Sequence, residues 1–231
     1  MPWTDNLAIR DRLKLAEERT QKVFDNCLEL VRTHENNQII FYTTILSRQI
    51  PSSRAAHAFN NFRECMFKAE IMRLCTLWDT SSRNRESIPT IVALIDNPDV
   101  LEWHSQVSVA RWSDDPAGER EKEHARKERI ELLAIIAKVR KLESDDILQR
   151  IKWHRDAQIA HSIDPQVRPE VDTARYGDER VIFEETQAIA RSLYLNILGK
   201  DFAWDNMKAQ VQRHCRELWE NCTFQNIPTR L

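Results

Sequence analysis

Ser53-Arg-Ala-Ala-His-Ala-Phe-Asn-Asn-Phe-Arg-Glu-Cys-Met-Phe-Lys-Ala-Glu-Ile-Met-Arg-Leu-Cys-Thr-Leu-Trp-Asp79 is the stretch on which the fold turns. It holds no proline and no glycine, and its apolar residues recur at three- and four-residue spacing. Two adjacent rows run along it, Phe59-Phe62-Met66-Ala69 and Phe67-Ile71-Leu74-Trp78. A buried stripe that wide belongs to a central helix. The expectation is a long helix over 53–79 and an all-α fold around it.

Working outward, residues 5–33 read as a long amphipathic helix, with Leu13, Ala16, Val23, Cys27 and Val31 near helical spacing. A separate short helix is expected over 38–49, stopped by Ile50-Pro51. Downstream, 80–87 form a polar loop, and Ile88-Pro89 opens a short helix through Ile95. Asn97-Pro98-Asp99 supplies a capping side chain, a proline at the first helical position and an acid in the first turn. Asp115-Pro116 repeats the device and begins a helix to about Leu142, charged over Glu119 to Arg129 and then burying Leu132, Ile136 and Val139. Ser144-Asp145-Asp146 caps the next helix. Residues 162–179, with Pro165, Pro169 and Gly177, read as a long connection. A helix from about Val181 ends at Gly199, and a last one covers about 201–222. There is no repeat and no convincing linker, so a single domain over 1–231 with little or no β structure is expected.

Composition agrees with helices. Only 3 of 231 residues are glycine, too few for the turns of a β-rich protein or for a phosphate-cradling loop. The net charge is −2, which leaves no global electrostatic footprint for nucleic acid. A local basic groove on a near-neutral chain remains compatible with RNA. Five cysteines without a Cys-x-x-Cys pair read as reduced thiols. The start, Met1-Pro2-Trp3-Thr4-Asp5, lacks the pattern of a signal peptide, and the longest uncharged run, Asn36 to Ser47, is too short to span a bilayer. A cytoplasmic protein without a membrane partner is the expectation.

No zinc spacing, dinucleotide fingerprint, phosphate loop or nucleophile elbow is present, so neither a metal nor a cofactor is expected. His124 lies among glutamates on what reads as a solvated face, and His34, His57, His104 and His214 show no partner of recognisable geometry. The exception is Arg155-Asp156-Ala157-Gln158-Ile159-Ala160-His161-Ser162. It resembles the signature of the HEPN superfamily, an arginine, a polar residue and a histidine after four to six intervening positions. Within that superfamily it is most similar to the abortive-infection U type, which ends on Ala-His-Ser or Ala-His-Arg. A second block, Arg73-Leu-Cys-Thr-Leu-Trp-Asp79 followed by Ser87-Ile88-Pro89, resembles the Leu-Trp-Asp and Ser-Leu-Pro portions of the same type. The likeness is strongest over 55–200. It implies a HEPN-like helical bundle with additional helices, and a metal-independent RNA endonuclease whose two motifs line one cleft of a homodimer. It also implies a role as a toxin or in phage defence, with an antitoxin or regulatory protein as partner.

The chemistry suits those residues. Cleaving RNA without a metal needs a base for the 2′-hydroxyl proton, a cation for the pentavalent phosphate and an acid for the departing 5′-oxygen. A histidine serves either proton transfer, and an arginine offers a cationic fork to phosphate oxygens. Arg155, His161 and Asp156 are the candidate catalytic residues, with Asp156 positioned to hold Arg155 or His161. His154, seven positions before His161, Gln158, three before it, and Asp79 are the candidate substrate-binding or supporting residues. For Asp79, a capping or ion-pair role is the plainer reading. Arg83 and Arg85 on the polar loop could grip an RNA backbone, although loop arginines ordinarily do nothing of the kind. On a regular helix, six positions leave Arg155 and His161 about 120° apart, so convergence requires the arginine to wrap around, or the helix to distort or end near Ala160. The alternatives are a HEPN-like module that binds RNA, nucleotide or protein without cutting it, or a plain helical interaction protein.

Overall fold

The computed structural model describes residues 2–50, 53–112, 118–160, 174–222 and 224; the side chains of 111, 112, 158 and 160 are outside that description. Among these residues the chain is all-α, with nine α-helices, one 3-10 turn, one π-helical turn and no strand. The helices are α1 (Ile9–Tyr42), α2 (Ile45–Gln49), α3 (Arg54–Leu77), α4 (Ile88–Ile95), α5 (Pro98–Trp112), α6 (Glu119–Glu143), α7 (Asp146–His154), α8 (Asp178–Leu198) and α9 (Trp204–Asn221). The chain divides into two compact units, Met1–Cys27 with Leu74–Phe202, and Leu28–Arg73 with Ala203–Leu231.

In the first unit α6 packs on α4, α5, α7 and α8, and α7 packs on α8. Local sequence starts and stops these helices. Ser87 accepts from the Thr90 amide and Pro89 occupies the first turn of α4. Asn97 Oδ1 accepts from the amides of Asp99 (2.9 Å) and Val100 (3.2 Å) at the start of α5. Gly199 takes φ 63 at the end of α8, a left-handed cap that a side chain would strain. The C-terminal carbonyls of α4 are covered by the buried Arg12, whose Nε donates to Leu94 O at 2.9 Å and Nη2 to Ala93 O at 3.0 Å. Leu74, Cys75, Leu77 and Trp78 at the end of α3 are fully buried here, with Leu132, Ile136 and Val139 of α6 and Leu148 and Ile151 of α7.

The second unit buries Leu30, Val31 and Ile39 of α1, Leu46 of α2, Ile71 of α3, and Trp204 and Cys215 of α9. It also contains a polar cluster. The Glu70 carboxylate lies 2.6 Å from His34 Nδ1 and accepts from Asn37 Nδ2 at 2.5 Å. The same Asn37 nitrogen donates to Met66 O at 3.1 Å.

That cluster explains one departure from the sequence reading. Residues 34–38 are polar and read as a break between two helices, but α1 runs through them to Tyr42. His34 and Asn37 find partners on α3, and Glu35 and Asn36 on α9, so no helix boundary is needed. The wide stripe of α3 is also narrower than its sequence suggests. Ile71, Leu74 and Trp78 are buried, whereas Phe62 is 41 % exposed and Ala69 is exposed. The expected start at Asp115-Pro116, and most of the connection over 162–179, lie outside the described residues. No helix among the described residues is long and apolar enough to cross a membrane.

Candidate functional site

Asp145 begins α7 by accepting from the Ile147 amide at 2.8 Å, and Leu148 and Ile151 anchor the helix in the first unit. The Ile151 carbonyl also receives the Cys75 thiol of α3 at 3.8 Å. Regular helix ends at His154, and Arg155–Ala160 form a π-helical turn. Its i→i+5 bonding widens the coil, so the angular separation of a regular helix does not apply across this segment. Such turns are frequent at functional sites.

Arg155 heads the π turn with its side chain 20 % exposed. Its Nη1 donates to Asp79 Oδ1 at 2.8 Å and its Nε to Asp156 Oδ1 at 2.7 Å. The other oxygen of Asp79 is ion-paired with Arg85 Nη1. One carboxylate thus spans two guanidinium groups. Asp79 is held there by its neighbour: Trp78 is fully buried, and its indole N–H donates to Thr186 Oγ1 of α8 at 2.7 Å.

Burial disfavours the charged form of Arg155, but the hydrogen bonds it donates to Asp156 and Asp79, with the attraction of the Asp156 charge, outweigh it, so its pKa lies above the ordinary arginine value. Burial lowers the pKa of Lys152, one turn earlier, against the opposing pull of Glu143. Burial likewise raises the carboxyl of Glu143 above the usual range, against the pull of Lys152 and Arg140. The Cys75 thiol is pushed up to about 12 by burial, so it is a packing residue rather than a nucleophile.

The structure therefore brings together three of the residues singled out from sequence: Arg155, Asp156 and Asp79. Asp156 bonds Arg155, one of its two expected partners. His154 is half-buried at the end of α7. Gln158 lies in the π turn, its side chain outside the description, and His161 lies outside the described residues altogether. Lys152 of α7, three positions before Arg155, is an addition to the residues singled out from sequence, and Arg85, for which an RNA-backbone grip is the less ordinary sequence reading, is brought here by its ion pair with Asp79. Among the described residues no three His, Cys, Asp or Glu side chains gather as a metal site. A cavity of about 500 Å³ lined by His124, Glu128, Leu195 and Asn196 adjoins none of the Arg155 cluster's residues. Chemically, the cluster is a network of two guanidinium groups and two carboxylates, in which Asp79 bridges the arginines and Asp156 orients Arg155; an oxyanion could be met by the guanidinium donors these acids leave over.

A HEPN family model, described as AbiU2, matches residues 14–218. The chain belongs to the AbiU2 family of HEPN proteins. No curated protein and no solved structure matches it.

Proposed function

We propose that this HEPN protein is a metal-independent RNA endonuclease that acts in the cytoplasm as a toxin in phage defence. The observation that carries this reading is Arg155, oriented by two carboxylates at the head of a π turn that leads toward His161 in the sequence. Arg155 would hold the non-bridging oxygens of the scissile phosphate as charge builds on them. His161 would take the proton from the 2′-hydroxyl. That oxygen then bonds to phosphorus, and the P–O5′ bond breaks to leave a 2′,3′-cyclic phosphate. The departing 5′-oxygen needs a proton as well, and one histidine cannot serve both sites in a single step. A second copy of the motif across a homodimer supplies it. His154 and Gln158 would flank the substrate. An antitoxin or regulatory protein would hold the activity in check.

The test is incubation of purified protein with end-labelled transfer and messenger RNA in excess EDTA. Wild type should cut at discrete sites, His161→Ala should not, and Arg155→Ala should be severely impaired. Full activity in both variants would refute the assignment. One feature favours a second reading, RNA binding without cleavage: both Asp79 and Asp156 already engage the Arg155 cation. Binding by wild type that survives His161→Ala, with no cleavage by either, would select it.

A further inference from the structure

The 79–87 loop is polar, exposed at Arg83, Asn84 and Arg85, and held by hydrogen bonds along its length. The Ser82 amide donates to Thr90 Oγ1 at 3.3 Å, and that hydroxyl lies 3.3 Å from Ser82 O. Arg19 of α1 donates through Nη2 to Arg83 O at 3.1 Å and pairs with Glu86 at 3.5 Å. Trp3 Nε1 donates to Ser81 Oγ at 3.3 Å, and the Arg85 amide to Ser82 O at 3.2 Å. Free loops do not carry so many bonds between distant parts of a chain. This one is preorganised, which lowers the entropy lost when it engages a ligand.

The loop directs Arg85 at Asp79. Asp79 is 20 % exposed with a guanidinium on each oxygen, while the Arg85 side chain is 50 % exposed. At this pair the arginine faces solvent more than the acid, whereas at Arg155 (20 % exposed) the more exposed partner is Asp156, at 42 %. The two guanidinium groups are separated by one carboxylate and two hydrogen bonds, on the order of 7 Å. That is comparable with the step between successive phosphates of an extended single strand. Among the described residues, Arg85 donates to Asp79 through Nη1, and Arg155 donates to Asp79 through Nη1 and to Asp156 through Nε. A guanidinium carries five N–H donors, so these bonds do not by themselves exhaust either arginine.

We propose that Arg85 forms a second phosphodiester subsite beside Arg155, gripping the phosphate next to the one that Arg155 holds in single-stranded RNA, with Asp79 setting the spacing between the two. The inference rests on the assignment of the Arg155 site to RNA, but not on cleavage. Arg85 acts in binding and moves no proton.

The test uses a fluorescein-labelled, fully 2′-O-methylated single-stranded RNA, which cannot undergo 2′-hydroxyl attack, titrated by anisotropy at several salt concentrations. Arg85→Ala should weaken binding by about tenfold, the loss of one charge-assisted contact. It should reduce the slope of log affinity against log salt by about 0.7, the value for one phosphate of a single strand. Arg85→Lys should keep the slope. Arg129→Ala, which breaks another exposed ion pair, with Glu102, should change neither quantity. On cleavable RNA, Arg85→Ala should raise KM and leave kcat near that of wild type. If wild type binds and Arg85→Ala matches it in affinity and salt slope, the subsite is refuted. If wild type binds and shows these Arg85 effects but never cuts, the subsite stands and the nuclease assignment falls. If wild type does not bind the RNA, both fall.

Discussion

Replacing Asp79 by asparagine would remove the charge that holds Arg155 and Arg85 while leaving the shape of the side chain. In the native protein one oxygen accepts from Arg155 Nη1 at 2.8 Å and the other pairs with Arg85. Asparagine offers one carbonyl oxygen and turns an N–H group toward the second arginine. The arm to Arg155 is mostly shielded, and a charge-assisted bond there is worth about 1.5–3 kcal/mol. The arm to Arg85 is half-exposed and worth at most about 1 kcal/mol. Since one bond can persist through the carbonyl, the net loss should be about 2 kcal/mol. For a chain of this length that lowers Tm by roughly 4–8 °C. Thermal melts followed by circular dichroism would measure it. A double-mutant cycle with Arg155→Ala should return a coupling of at least about 1 kcal/mol, because each change removes the same contact. RNA cleavage by Asp79→Asn should fall by roughly tenfold or more, since an arginine without its orienting partner presents its donors poorly. A melt within 1 °C or so of wild type, with no coupling in the cycle, would refute the account of Asp79 as the spacer of the site.

Other expectations follow from individual contacts. Thr186→Val keeps the volume of the side chain but strands the fully buried Trp78 indole N–H; a loss of about 1–3 kcal/mol should appear in urea unfolding. Asp178 is buried, which opposes its charge, but the Arg150 guanidinium and the Arg175 amide outweigh this and lower its carboxyl pKa. A depressed folded pKa means that its stabilisation is complete above the unfolded value near 3.8 and is lost as pH falls through the folded one. Below about pH 4, wild type should therefore lose Tm more steeply than Asp178→Asn, which lacks that titration. The Cys27 and Cys75 thiols, each pushed up to about 12 by burial, should hold on the order of one part in 10⁴ as thiolate at pH 8. A thiol reagent should label exposed Cys65 quickly and those two only after denaturant is added.

The helix boundaries show where sequence suffices. Ser87 with Pro89, Asn97 with Pro98, and Asp145 act on amides within three residues, so their signals are local and the structure uses each of them. The polar run at 34–38 shows where it does not. His-Glu-Asn-Asn-Gln is ordinary material for a loop, and its partners are distant: Glu70 for His34 and Asn37, Lys208 for Glu35 and Trp219 for Asn36. The same divide separates the members of the candidate site. Arg155, Asp156 and Asp79 stand in short motifs that can be matched one by one. Lys152 follows from helix spacing, one turn before Arg155, whereas Arg85 stands in no motif and is found only from the acid it faces.

Secondary structure here is written in the chain itself, because spacing of apolar residues, caps and scarcity of glycine act over a few residues. The AbiU2 resemblance is likewise legible in short blocks of residues. What tertiary structure alone decided is the pairing of charges. A carboxylate at the end of α3 lies between a loop arginine and the first residue of a π turn, 76 positions away from the latter. Coulombic and hydrogen-bond energies depend on distance in space, and no local pattern encodes which acid will meet which arginine.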